Sequence, residues 1–273
     1  MMNKVDFALI ISAHKCNPNG DPVMGNQPRQ DIDGYGEISD VCLKRKIRDR
    51  LSEMGQNILI QSPNPFDKEP IKSLKKKIDS VTELKEYDKK KQYDEYFKCA
   101  CRTWFDVRTF GQVFAVKNAD IAGLGIKGPV SIGIAQSLEP VDISFLQISK
   151  TMNTDGDSTR KDSSSFGQKP IVEKGIYVSY GAIYPQLAEK TGFSESDAEI
   201  LKQAMINILE NDASAARPTG SMESTLIWMQ HNCPMGVKRS AELHRLLNIR
   251  QAKDFPYFEY DIPDVKGIDI SVY

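Results

Sequence analysis

The chain is 273 residues long and carries 36 Lys and Arg against 37 Asp and Glu, a net charge of −1. That length fits one core with insertions better than two full domains, and the balanced charge excludes a protein that holds nucleic acid through its overall field. Any polyanion site must therefore be a local patch.

Residues 5–13, VDFALIISA, read as a buried strand. The loop that follows gathers turn formers in Asn17, Pro18, Asn19, Gly20, Asp21 and Pro22, and at about 25 residues it is too long to be idle in a compact domain. Residues 39–54 read as an amphipathic helix. At helical spacing Leu43, Ile47, Leu51 and Met54 form one stripe, while Lys44, Arg45 and Arg48 gather on the opposite arc. Loop and helix leave the same end of one strand, so both can meet one ligand, and a polyanion is the simplest.

From 62 to 100 three prolines precede a highly charged, helix-compatible run, read as a helical insertion. Residues 103–116, TWFDVRTFGQVFAV, are rich in β-formers and predict a strand, and the glycine-punctuated segment after them predicts more. Residues 151–169 are polar and turn-rich between two strands, the second being GIYVSYGAIY, which points to a protruding hairpin. Ser194 and Asp197 approximate a capping box on a helix ending near Asn211. A strand, STLIWMQHN, a short helix, SAELHRLLNI, and a β-like tail complete the order. This β, α, several β, α, β pattern predicts an α+β fold: a single domain over 1–273 with a split βαβ, ferredoxin-like antiparallel sheet and helices on one face.

The basic helix face is the best binding candidate, because Lys and Arg at that spacing can neutralise successive phosphates. Beside it Arg29, Gln30 and the amides Asn17 and Asn19 offer the donors and acceptors that an RNA backbone with its 2′-hydroxyls asks for. Arg217 lies in a helix-to-strand junction, RPTGSM, whose small residues admit a ligand. Three Asp in the first loop, Asp21, Asp31 and Asp33, could hold a hard cation, though carboxylates in such loops are more often turn formers. The pairs His14 and Cys16, Cys99 and Cys101, and His231 and Cys233 lack the spacing of a structural zinc site. With Cys42 they make five scattered cysteines, expected as reduced thiols in the cytoplasm. No stretch reads as a membrane span, and no cofactor or metal is expected.

Taken together, HKCNPNGDP, ISDVCLKRKIRD, FDVRTFGQ and SAARPTGSM resemble the CRISPR-associated backbone subunit of type I Cascade, most like its I-C branch, a guide-RNA-binding member of the RAMP superfamily. The resemblance runs over nearly the whole chain. It implies a modified RNA-recognition fold with a helical finger insertion (62–100) and a thumb hairpin (151–169). It also implies a non-catalytic subunit that stacks as a homo-oligomer along crRNA beside other Cascade subunits and leaves the bases free to pair with target DNA. Asn17, Asn19, Arg29, Gln30, Lys44, Arg45, Arg48 and Arg217 would grip the guide, and Met152 or Phe166 would wedge against a base. Related type III subunits cleave RNA with a loop aspartate, which makes a metal-dependent endoribonuclease using Asp31 and Asp33 the alternative.

Overall fold

The computed structural model describes residues 2–62, 73–114, 121, 123–149, 166–262 and 264–273. In chain order, β1 (Val5–Cys16) is followed by β2 (Gly20–Asp21), β3 (Gln27–Pro28), β4 (Tyr35–Ile38) and α1 (Asp40–Glu53). A helical block comes next: α2 (Leu74–Asp79), α3 (Thr82–Lys89), α4 (Tyr93–Thr103) and α5 (Phe105–Phe110). Strands β5 (Gly111–Phe114), β6 (Leu124–Lys127), β7 (Val130–Ile132), β8 (Ala135–Pro140), β9 (Ile143–Ser149) and β10 (Phe166–Ile183) precede α6 (Pro185–Thr191) and α7 (Glu195–Ile206). After them come β11 (Met222–His231), α8 (Ser240–Leu246), β12 (Asn248–Gln251), β13 (Phe258–Asp261) and β14 (Ile268–Val272).

The main sheet has the order β14-β11-β1-β10-β8-β4, and every neighbouring pair is antiparallel. Strand β1 lies in the middle and is buried on both faces, which is why its sequence is a continuous apolar run and does not alternate. Phe7, Leu9 and Ile11 face α1 and α7, meeting Leu43, Ile47, Leu51, Leu201 and Met205. Ala8 and Ile10 face the other way, where Leu243 and Leu247 from α8 and its C-terminal flank close over Ile176, Ile227 and Met229. Helices therefore cover both faces, and the expectation of helices on one face is corrected. A strand apolar on both sides needs a cover on each. At Gly181 the Phe7 ring occupies the space a Cβ would need.

The helical block has its own core. Leu59, Ile78, Leu84, Tyr96, Trp104, Val107 and Phe114 cluster with Ile126, so the block continues past residue 100 into β5 and β6. Here a second expectation fails: FDVRTF is helix α5, and among the described residues of 103–116 only Gly111–Phe114 form a strand. Phe105, Asp106, Val107 and Thr109 are all buried, and Thr109 Oγ1 donates to the Phe105 carbonyl at 2.7 Å. Packing on two sides outweighs the β propensity of those residues.

The Ser194–Asp197 capping box is present, but α7 ends at Ile206, short of Asn211. Strands β9 and β10 pair antiparallel from Ile143↔Val172 out to Ser149↔Phe166, so the chain leaves and returns side by side. The segment between them, including Met152, lies outside the described residues, and Phe166 is placed by backbone register alone. Among the described residues no helix is long and apolar enough to cross a membrane.

Candidate nucleic-acid interface

Ser39 caps α1, its Oγ accepting from the Cys42 N–H at 3.2 Å. The cap is itself held by the loop: Asn19 Oδ1 accepts both the Ser39 N–H and its hydroxyl at 2.9 Å. Asn17 is buried and donates to the Asn26 carbonyl at 2.7 Å. Both amides thus shape the loop against the helix. Gln30, farther out, ties the loop to the β8–β9 turn, donating to the Val141 carbonyl at 2.7 Å.

Loop, helix and the start of the helical block enclose a cleft of about 610 Å³. Asn19, Arg29, Arg45 and Arg48 line it, as does Lys77 from α2, which no sequence pattern singles out. Between these polar groups lie Val41, Ile60 and Leu74, all solvent-exposed apolar side chains. Cations set along such a cleft suit a ligand with a charged backbone. Asn17, Gln30, Lys44 and Arg217 lie outside the cleft lining.

The cations are not a row of free charges. Arg29 pairs with Asp21 at 3.2 Å, while its Nε is buried with no acceptor among the described residues. Lys44 pairs with Asp40 at 3.1 Å. Arg48 Nε meets Asp106 Oδ2 at 3.0 Å, and its guanidinium lies 5.2 Å from the Phe110 ring centre. Asp106, fully enclosed, also accepts from the Leu59 N–H at 2.7 Å and the Ile60 N–H at 3.1 Å. Through Arg48 and Asp106, helix α1 fixes the cleft wall formed by residues 59 and 60.

A second carboxylate gathers three cations. Asp212 contacts Arg45 Nη2 at 3.2 Å, Arg217 Nε at 2.7 Å and the buried Lys46 ammonium. Burial pushes the Asp212 carboxyl up, but Lys46 and Arg217 outweigh it and hold it below the usual carboxylate range. Burial lowers Lys46 in turn, offset in part by Asp212. Burial likewise raises the Cys16 and Cys42 thiols, which makes them poor nucleophiles.

Asp31 is a turn former. Its Oδ1 accepts from the Asp33 N–H at 3.0 Å and the Tyr35 N–H at 2.8 Å, and its Oδ2 from Gln136 Nε2 at 2.8 Å. Among the described residues no group of three or more His, Cys, Asp or Glu is placed to hold a metal ion.

The fold and cleft place the chain with α+β proteins built on a large antiparallel sheet. A solved structure described as "CRISPR RNA-guided surveillance complex, pre-nicking" contains a chain that superposes with a TM-score of 0.52 at 13% identity, covering 83% of this chain and 78% of that one. The family description "CRISPR-associated protein Cas7" matches residues 3–268, and the chain belongs to that family. A relative from Haloferax volcanii, also described as CRISPR-associated protein Cas7, is 26% identical over 235 residues, covering 80% of this chain and 68% of the relative.

Proposed function

We propose that the protein is a non-catalytic backbone subunit of a type I CRISPR surveillance complex, cytoplasmic, which grips the backbone of the guide RNA in the cleft between the first loop, α1 and α2. The observation that carries this is the cleft itself: Asn19, Arg29, Arg45, Arg48 and Lys77 set along it, in a chain of the Cas7 family. A protein that holds phosphates and leaves bases exposed lets guide–target pairing supply the specificity.

The order β11-β1-β10-β8, with α1 between β1 and β8 and α7 between β10 and β11, supports the split βαβ reading. On the same proposal α2–α4 are the fingers, the β9–β10 ribbon is the base of the thumb, and the other Cascade subunits and the target DNA strand are the remaining partners. Turn-closing hydrogen bonds occupy Asp31, which speaks against its use in RNA cleavage.

The test removes the charges in and beside the cleft that the fold can spare. Arg48 is kept, because its loss strands the buried Asp106. In a Lys44→Gln, Arg45→Gln, Lys77→Gln variant, affinity for single-stranded RNA falls, and the log–log salt dependence flattens by ~0.7 for each phosphate that is no longer neutralised. Wild-type affinity and salt slope in a folded triple variant would show that the guide binds elsewhere. Incubating the assembled particle with complementary RNA and Mg²⁺ tests the nuclease reading, and regularly spaced cuts would favour it.

A further inference from the structure

Asp212 is a carboxylate in the wrong place for a phosphate-binding surface. It lies against Arg45, on the rim of the cleft, and against Arg217, in the segment after α7. Electrostatics alone says that a negative charge there weakens RNA binding. Yet the side chain is only 12% exposed and holds three cations at once.

Two of those cations are oriented by the contact. Asp212 takes Nε of Arg217, and the terminal nitrogens of that guanidinium have no acceptor among the described residues. Arg45 is spanned between Asp49 and Asp212, one terminal nitrogen on each, which fixes the plane of its guanidinium beside the cleft. The third, Lys46, is fully buried and spends its charge on Asp212. Its backbone sits three residues after Leu43, on the apolar stripe of α1, so the ion pair ties the 207–217 segment to that helix.

We infer that Asp212 is a positioning residue for guide binding, aiming Arg217 and Arg45 at successive phosphates while neutralising Lys46. The inference rests on the cleft reading above. A freely rotating arginine loses side-chain entropy when it binds a phosphate, and one already held by its Nε loses less. The gain from orientation exceeds the Coulomb cost of the carboxylate.

Asp212→Asn alone would leave Lys46 buried and unpaired, so the experiment is done in a Lys46→Met background, where the core stays neutral. Adding Asp212→Asn to that background lowers affinity for single-stranded RNA about tenfold, with the salt slope nearly unchanged because no cation is deleted. Asp212→Glu restores part of the affinity. In the RNA-free protein, the Arg217 Nε–H NMR signal, slow to exchange when Asp212 is present, broadens or vanishes in the Asn variant. A role confined to stability would lower the melting temperature and leave the affinity of the folded protein unmoved. Equal or tighter RNA binding by the Asn variant overturns the positioning role. Failure of the wild-type protein to bind RNA at all overturns the cleft reading and this inference with it, so the two failures are told apart.

Discussion

At the scale of single residues, buried charge in this protein is paired across long stretches of chain. Asp6, on β1, is fully buried between His231 Nε2 at 2.8 Å and Lys4 Nζ at 3.0 Å, with His244 Nε2 at 3.5 Å from its other oxygen. His231 accepts the Val237 N–H on Nδ1 at 2.9 Å, so its Nε2 carries the proton given to Asp6. These contacts pin α8 and its approach loop to β1. Burial works to raise the Asp6 carboxyl, but its hydrogen bonds and Lys4 bring it below the ordinary carboxylate range. Burial pulls His244 below its ordinary value, only partly offset by Asp6 and the Gly181 carbonyl. The signs agree. The folded state binds fewer protons than the unfolded one at both groups, so stability is full above the unfolded pKa of each and declines as pH falls toward the folded pKa. His244 acts first, below about pH 6.5. Urea midpoints measured from pH 7.5 to 5 should fall in the wild type and fall less steeply in His244→Gln; parallel curves would show that His244 does not set this dependence.

At the scale of elements, legibility in the sequence depends on how local the cause is. β1, α1 and the Ser194–Asp197 box each carry a local pattern, an apolar run, a helical stripe and a capping pair, that reads directly from the sequence. FDVRTF reads as a strand and folds as a helix because burial against distant elements imposes the helix, which β propensity does not register. The site follows the same division. Lys44, Arg45 and Arg48 are visible as a helix arc, but their partners are not: Asp106 lies 58 positions from Arg48, and Asp212 lies 166 from Lys46. Lys46, on an apolar stripe, is the one signal that a buried acid has to exist. The β9–β10 ribbon shows the opposite mismatch. Its strands are paired, yet Phe145, Leu146 and Ile148 are about half exposed, and a two-stranded ribbon with bare apolar side chains is marginal by itself. On the proposed reading a neighbouring copy covers them. A Phe145→Ser, Leu146→Thr, Ile148→Thr variant should leave the melting temperature within a few degrees of wild type and abolish cooperative assembly on RNA. Unchanged cooperativity in analytical ultracentrifugation would rule the ribbon out as the contact between copies.

At the scale of the whole molecule, the charge balance becomes an argument about assembly. On the proposed reading, a balance of 36 basic and 37 acidic residues lets copies stack closely with little mutual repulsion, while the lining cations of each cleft would hold the RNA. A strongly basic protein of this size would bind RNA anywhere along its surface and would oppose its own packing. A backbone grip also reads no bases, since phosphate and sugar contacts carry no sequence information. Two consequences can be measured on one set of guides. Among guides of equal length with identical end segments, affinity should vary only a few-fold with base sequence, because unstacking costs alone distinguish them. As length increases, the mass of the complex should rise in equal steps of one subunit, each step set by the stretch of strand one cleft covers. Native mass spectrometry over a length ladder reads the steps, and competition binding reads the sequence dependence. A hundredfold preference among equal-length guides would mean that the protein reads bases, and a mass that stays at one subunit per RNA at every length would mean that the cleft binds single strands without building a filament.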